Sequence, residues 1–224
     1  MKYLLPKAVF WDWDGTLVDS FSFLHETHNH VRGQFGMVPF SVDVFKSYFG
    51  KPREALYTEI YGADRLEDAK AHFEAYVTAN HHKIRAVDGA AAVLQAFKAL
   101  DILMGIVTNK KGAFVRQEIT HQGWDDYFVT VVGAGEADAD KPSPAPLLLA
   151  LAQSGLGLSP EEVWFVGDTD NDLACARDAG APSVFIASPE PQHDIADLYN
   201  PILTFQSCRQ FADFLLQQFL CQKF

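Results

Sequence analysis

Short apolar runs alternate along the chain with segments of helical spacing. Five runs rich in Val, Ile and Phe are typical of strands buried on both faces: Ala8 to Trp11, Ile102 to Val107, Val129 to Val132, Val163 to Val166 and Val184 to Ala187. Helices are predicted at Ala90 to Leu100, Gly112 to Gln122, Pro144 to Ser154 and Asp172 to Ala179, with a further helix start at Ser159-Pro160-Glu161-Glu162. Strands that alternate with helices predict an α/β fold with a parallel sheet.

One segment departs from this alternation. From about Phe21 to Arg85 the apolar residues follow helical spacing, as between Ala69 and Val77, with little strand-like alternation. We therefore predict a small α-helical domain, residues 16–86, inserted after the first strand. The core domain would consist of residues 1–15 and 87–224.

Composition narrows the classes of function. Of the 224 residues 48% are apolar, which is enough to bury a core, and the formal net charge is −11. Nonspecific binding to nucleic acid is driven by basic side chains, so this charge disfavours it. No apolar run approaches membrane-spanning length, and Lys7 and Asp12 interrupt the N-terminal stretch where a signal peptide needs apolar residues. We expect neither nucleic acid nor a membrane as a partner.

Cysteine and histidine patterns do not indicate a metal centre. The chain has three cysteines, Cys175, Cys208 and Cys221. An odd count without a CxxC spacing favours reduced thiols, and hence a cytoplasmic protein, over a disulfide framework or a zinc site. His25, His28 and His30 cannot all lie on one helical face, and their polar neighbours predict a solvated helix.

Polar residues follow several of the predicted strands directly. In an open parallel sheet, ligands bind outside the carboxyl ends of the strands. The residues expected to meet there are Asp12, Asp14, Thr108, Asn109, Asp168 and Asp172, which Lys141 can join. Crowded carboxylates raise one another's pKa unless a cation lies among them. Mg²⁺ prefers such oxygen ligands and is usually held by one or two carboxylates and a substrate phosphate, so the sequence predicts a magnesium site.

Four segments carry a family resemblance. In order and spacing, DWDGTLVDS, IVTNKKG, DKPSPAPLL and VGDTDNDLACARDAG resemble the four motifs of the haloacid dehalogenase superfamily, most closely its phosphoglycolate-phosphatase-like branch. The resemblance implies a Rossmann-like core with a helical cap between the first and second motifs. It also implies Mg²⁺-dependent hydrolysis of a small phosphate monoester.

The resemblance assigns roles to the carboxylates. Asp12 would be the nucleophile that accepts the phosphoryl group, and Asp14 would protonate the leaving oxygen and then deprotonate water. Asp12, the backbone carbonyl of Asp14 and Asp168 would bind the metal. Asp172 would contact it through a water molecule, or simply cap the helix that follows.

The resemblance also assigns the groups that contact the phosphoryl oxygens. Thr108 and the backbone amide of Asn109 would donate hydrogen bonds to them, and Lys141 would neutralise the phosphoryl group and Asp12. Trp13 departs from the family pattern, in which a smaller residue is usual. We expect it to pack in the core and to narrow the cleft.

Specificity is expected from the helical insert, where the sequence says less. Lys51 and Arg53, in FGKPREALY, either reach the substrate or form a solvated basic turn. Gly-x-x-Arg-Glu in this segment also resembles the sugar-phosphate mutase branch, so a mutase of the β-phosphoglucomutase type is an alternative, and a noncatalytic binding protein is a second. Dehalogenation is disfavoured because it needs neither Asp14 nor Asp168. The leaving group, which could be glycolate, a sugar, a nucleoside or another alcohol, stays open, as does the oligomeric state.

Overall fold

The computed structural model of the chain describes residues 4–48, 53–187 and 195–221. The chain forms two compact units, one of residues 1–18 and 85–224 and the other of residues 19–84. Both junctions lie within a few residues of the boundaries expected from the sequence. In the described ranges, no helix combines the length and the apolar character needed to span a membrane.

Six parallel strands form the sheet of the larger unit. The strands of the chain are β1 (Ala8–Trp11), β2 (Val18–Asp19), β3 (Arg85–Ala86), β4 (Leu103–Val107), β5 (Phe128–Val132), β6 (Val163–Gly167), β7 (Ser183–Ile186) and β8 (Leu203–Phe205). The order in the main sheet is β5-β4-β1-β6-β7-β8, and every neighbouring pair is parallel. The predicted α/β class is confirmed, and β1 lies between β4 and β6. The sequence did not predict β8, a three-residue strand at the edge of the sheet.

Ten helices accompany the strands in the described ranges: α1 (Phe21–Gln34), α2 (Val42–Lys46), α3 (Arg53–Tyr61), α4 (Leu66–Asn80), α5 (Ala90–Ala99), α6 (Gly112–Gln122), α7 (Ala145–Ser154), α8 (Asp170–Ala179), α9 (Ile195–Tyr199) and α10 (Cys208–Leu215). The predicted helices of the core match α5 to α8 within two residues at each end. The helix start predicted at Ser159 is present, but the helix is short. It is only the 3₁₀ turn Pro160–Glu162, because β6 begins at the next residue.

Helices pack on both faces of the sheet, and β1 shows why. Its side chains alternate, so Phe10 joins an apolar cluster with Leu147 of α7 and Cys175 of α8. On the opposite face the Trp11 ring packs against Phe97 of α5, with ring centroids 5.8 Å apart, and against Phe211 of α10. A parallel sheet covered by helices on both faces is a Rossmann-like core.

The short strands β2 and β3 pair with each other in a separate two-stranded sheet. Beside this pair, the Val87 backbone amide donates to the Leu17 carbonyl oxygen at 3.0 Å. The chain therefore leaves the larger unit and re-enters it at neighbouring points.

The helical unit, residues 19–84, has its own buried residues, which include Phe45, Phe73 and Val77. His28 belongs to this interior: it is 2% exposed, and its Nδ1 lies 2.7 Å from the Tyr61 hydroxyl oxygen. The prediction of a solvated helix at these histidines is wrong for His28, because that helix turns His28 together with its apolar residues toward the aromatic interior.

Candidate active site

Three adjacent strands place polar side chains at their carboxyl ends, along the same side of the sheet. Asp12 follows β1, Thr108 follows β4 and Asp168 follows β6, and all three residues are buried. The Asp12 backbone amide donates to the Val166 carbonyl oxygen at 2.8 Å, which continues the pairing of β1 with β6 past the end of β1. Strands that are distant in sequence thus bring their terminal residues together, as expected for a parallel sheet.

A tight turn follows β1 and depends on Gly15. This residue has φ +88°, a conformation that side chains with a Cβ rarely adopt, and its amide donates to the Val18 carbonyl oxygen at 2.8 Å. A Cβ on Gly15 would lie 2.3 Å from Asp168 Oδ2. The turn therefore leaves room for the Asp168 carboxylate, and it explains why glycine follows the second aspartate.

Three carboxylates form a group that fits a divalent cation. Oxygen atoms of Asp12, Asp168 and Asp172 lie within 4.8 Å of one another, and all three residues are buried. Thr16 Oγ1 donates to Asp168 Oδ1 at 2.7 Å, which fixes that carboxylate. Closely spaced carboxylate oxygens are the donor set that hard divalent cations prefer, so the group can hold a divalent metal ion.

The electrostatics of the group also favour a cation. Burial, and then the charge of Asp172, raise the pKa of Asp12 to about 7, although Lys141 acts in the opposite direction. Burial, and then the charges of Asp12 and Asp172, raise the pKa of Asp168 well above its ordinary value. A divalent cation among these groups would favour their ionised forms.

Lys141 reaches the carboxylates from the segment after β5. Its Nζ donates to Asp12 Oδ1 at 2.5 Å, to Asp172 Oδ1 at 2.6 Å and to the Val107 carbonyl oxygen at 3.0 Å. Burial lowers the pKa of Lys141, but the two carboxylates outweigh burial and raise this pKa above its ordinary value. Lys141 is therefore a fixed ammonium group between two buried carboxylates.

The Asn109 side chain holds the backbone of Lys141. Asn109 Nδ2 donates to the Lys141 carbonyl oxygen at 2.8 Å, and the Lys141 amide donates to Asn109 Oδ1 at 2.9 Å. Sequence reasoning considered only the backbone of Asn109 and missed this clamp. The neighbouring Thr108 hydroxyl oxygen accepts from the Lys110 amide at 3.2 Å.

Asp172 has two structural roles. Oδ1 accepts from Lys141, whereas Oδ2 accepts from the Thr169 amide at 3.0 Å, from Thr169 Oγ1 at 2.7 Å and from the Asp168 amide at 3.2 Å. The carboxylate thus caps the N-terminus of α8 and also anchors Lys141. Of the two alternatives considered for Asp172, the helix cap is present in the structure, whereas the water-mediated contact with a metal stays a prediction.

Asp14 contacts a lysine that sequence reasoning did not single out. Lys110 Nζ donates to Asp14 Oδ1 at 2.9 Å and to Glu118 Oε2 at 2.8 Å. Glu118 is 0% exposed and lies near the middle of α6. A charged residue on the otherwise apolar buried face of α6 was the available signal, since buried Glu nearly always has a partner.

Trp13 is part of the core. It is 0% exposed, its Nε1 donates to Glu118 Oε2 at 2.6 Å, and its ring packs edge-on against Trp124 and Phe128. The expectation of core packing is therefore met, but the expectation that Trp13 narrows the cleft is wrong, because the side chain is enclosed by protein.

The two substrate contacts predicted in the helical insert are Lys51 and Arg53. Lys51 lies outside the described residues, and Arg53 is the first residue of α3. Their part in substrate binding stays a prediction.

Comparison with known proteins identifies the family. A family model described as haloacid dehalogenase-like hydrolase matches residues 9–186. The chain belongs to this family. Among relatives of this hydrolase, a phosphoglycolate phosphatase from Rhodospirillum rubrum is 30% identical over 223 residues, which cover 94% of this chain and 91% of the relative. Phosphoglycolate phosphatase 1 from Pseudomonas aeruginosa is 30% identical over 186 residues, or 79% of this chain and 67% of the relative.

A solved structure agrees with these relatives. The crystal structure of a predicted phosphoglycolate phosphatase from Haemophilus somnus is similar to this hydrolase with a TM-score of 0.81 and 25% identity, over 93% of this chain and 97% of that chain. The predicted resemblance to the phosphoglycolate-phosphatase-like branch of the superfamily is thus confirmed.

Proposed function

We propose that this hydrolase is a magnesium-dependent phosphatase that cleaves a small phosphate monoester through an aspartyl phosphate on Asp12. The observation that carries this proposal is the buried group of Asp12, Asp168 and Lys141 at the carboxyl ends of neighbouring strands. Relatives named phosphoglycolate phosphatases support a phosphoglycolate-like ester as substrate, with sugar phosphates and nucleotides as further candidates.

In the first step, an Asp12 carboxylate oxygen attacks phosphorus while the bond from phosphorus to the ester oxygen breaks. Lys141 holds Asp12 Oδ1 by a 2.5 Å hydrogen bond, so the nucleophile has a fixed orientation. Asp14 gives its proton to the leaving oxygen, and the products of this step are the free alcohol and an acyl phosphate on Asp12.

In the second step, Asp14 takes a proton from a water molecule that attacks the same phosphorus. The bond from phosphorus to the Asp12 oxygen breaks, inorganic phosphate leaves, and both aspartates return to their starting states. Thr108, the Asn109 amide and Lys141 stabilise the charge on the transferring group.

Magnesium, held by Asp12, Asp168 and the Asp14 backbone carbonyl, would neutralise phosphoryl charge and favour the ionised carboxylates. The two raised pKa values support this part of the proposal, because burial and the neighbouring carboxylates outweigh the single ammonium group of Lys141. Asp172 contributes indirectly, through its hydrogen bond with Lys141, and would contact the metal through a water molecule.

We assign substrate choice to the helical unit, residues 19–84, with Arg53 and Lys51 as the contacts to test. Arg53→Ala should change the preference among natural esters, while an activated aryl phosphate is hydrolysed nearly as before. Equal losses for both substrate types would place Arg53 in the chemistry or in folding.

The described cysteines are free, with Cys175 and Cys208 buried, which supports a cytoplasmic location.

The test is phosphate release from a panel of monoesters that includes phosphoglycolate, sugar phosphates and nucleotides, with and without Mg²⁺. Release that depends on Mg²⁺, favours one ester and is absent in Asp12→Asn is the expected result. Isomerisation of a sugar phosphate with little release would establish the mutase instead. Binding of esters with neither reaction would establish a noncatalytic protein.

A further inference from the structure

Four side chains form a closed chain of contacts beside Asp14, which we call the Lys110 network: Trp13, Asp14, Lys110 and Glu118. Lys110 Nζ donates to Asp14 Oδ1 at 2.9 Å and to Glu118 Oε2 at 2.8 Å. Trp13 Nε1 donates to the same Glu118 oxygen at 2.6 Å. Because Trp13 and Asp14 are neighbours in the chain, the network ties the turn after β1 to helix α6.

The network is buried except at Asp14. The exposed fraction of the side chain is 0% for Glu118, 8% for Lys110 and 23% for Asp14. Burial, with the nearby charge of Asp14, raises the pKa of Glu118 above its ordinary value even though Lys110 lowers it. A buried ion pair of this kind contributes little net stability, so we assign to it the fixing of side-chain geometry.

Rigid aromatic packing holds the far end of the network. The Trp13 ring lies edge-on to Trp124 and Phe128, with ring centroids 5.9 and 6.4 Å away. Trp13 fixes Glu118, and Glu118 fixes the Lys110 ammonium group. The lysine side chain is long and would otherwise sample many rotamers. Held in this way, it donates its hydrogen bond to Asp14 from one direction.

We propose that Lys110 is a positioning residue for the Asp14 carboxyl group, and that Glu118 and Trp13 hold Lys110 in place. Lys110 occupies Oδ1, which leaves Oδ2 for proton transfer to the leaving oxygen and from water. The inference rests on the proposed phosphatase reaction, in which Asp14 is the acid and then the base. A displacement of about 1 Å at such a group lowers rates by up to about 100-fold.

The test compares two substrates that differ in their need for an acid. Lys110→Met should lower kcat for an alkyl phosphate by about 10- to 100-fold, and for p-nitrophenyl phosphate by less than about 3-fold, because a good leaving group needs little protonation. KM should change little for either ester. Lys110→Arg should recover part of the alkyl rate, since it restores a cationic donor.

Two further variants separate positioning from folding, and a third serves as a control. Lys110→Met leaves Glu118 buried without its ammonium partner. The double variant with Lys110→Met and Glu118→Gln should therefore be more stable than Lys110→Met alone and keep the same selective loss for the alkyl ester. Glu118→Gln alone should show a smaller selective loss. Lys98→Met, at an exposed lysine of α5, makes the same change of charge and size and should leave both rates unchanged.

A readout without substrate or metal completes the test. In an amide and indole ¹H–¹⁵N NMR spectrum, the Trp13 indole signal, assigned with Trp13→Phe, should shift in both Glu118→Gln and Lys110→Met. Equal losses for the alkyl and aryl esters, or an unshifted indole signal, would overturn the inference. A wild-type protein that hydrolyses no phosphate ester would instead refute the proposed function, so the two failures are distinguishable.

Discussion

Asp12→Asn should abolish turnover and at the same time stabilise the metal-free protein at high pH. In the fold, burial and then Asp172 raise the pKa of Asp12 from 3.8 to about 7. A carboxyl group whose pKa is raised by folding is bound to a proton more often in the native state than in the unfolded state. Its contribution to stability is therefore full below pH 3.8 and is lost as pH rises toward 7.

The size of the effect follows from this difference in pKa. With about 1.4 kcal/mol for each pKa unit, the wild type should lose at most about 3 kcal/mol between pH 5 and pH 8 through Asp12 alone. Asn has nearly the same volume, carries no charge and can still accept a hydrogen bond from Lys141. Asp168 acts in the same direction, because the Asp12 charge contributes to its raised pKa.

Urea unfolding in EDTA at pH 5 and pH 8 measures the effect. The gain in unfolding free energy of Asp12→Asn over wild type should be larger at pH 8, and Mg²⁺ should reduce it by stabilising the wild type. Asp126→Asn, at an exposed aspartate, makes the same change of net charge and serves as control. A gain that does not change with pH, or a destabilised variant at pH 8, would refute the reasoning.

Three further substitutions test individual groups of the site. Asp14→Asn should reduce kcat for alkyl phosphates by about 10²- to 10⁴-fold and for activated aryl phosphates far less, in steady-state assays; equal losses would contradict its role as acid. Gly15→Ala should lower stability by more than about 1 kcal/mol and weaken Mg²⁺ binding in calorimetry, because its Cβ meets Asp168; wild-type affinity would argue against that contact. Asn109→Ala should reduce kcat about 10-fold by releasing the Lys141 backbone, and an unchanged kcat would show that the clamp is dispensable.

The polar residues at the strand ends were predictable because their positions follow from the local sequence pattern. Asp12, Thr108 and Asp168 each follow an apolar run, and parallel pairing of adjacent strands brings them together. The turn at Gly15 was equally accessible, since an immediate change of direction after Asp14 requires a residue without a Cβ.

Contacts between distant side chains were not predictable. The Asn109 amide clamps a backbone 32 residues away, and Trp13 meets Glu118 across 105 residues. Such pairs depend on how α6 and the segment around Lys141 pack against the sheet, which hydrophobic spacing does not encode. The same limit explains the error at His28, whose burial depends on aromatic residues contributed by other helices of its unit.

The hydrogen bond from Val87 to Leu17 has a consequence for how this hydrolase can diversify. The core closes its own chain at the point where residues 19–84 depart, so the ends of the insert are already held together. Closure entropy grows slowly with loop length, by about 0.6 kcal/mol for each doubling. The insert can therefore change in length at a small cost in closure entropy, and under the proposed assignment of substrate choice to this unit, such changes would leave the core sheet unaltered.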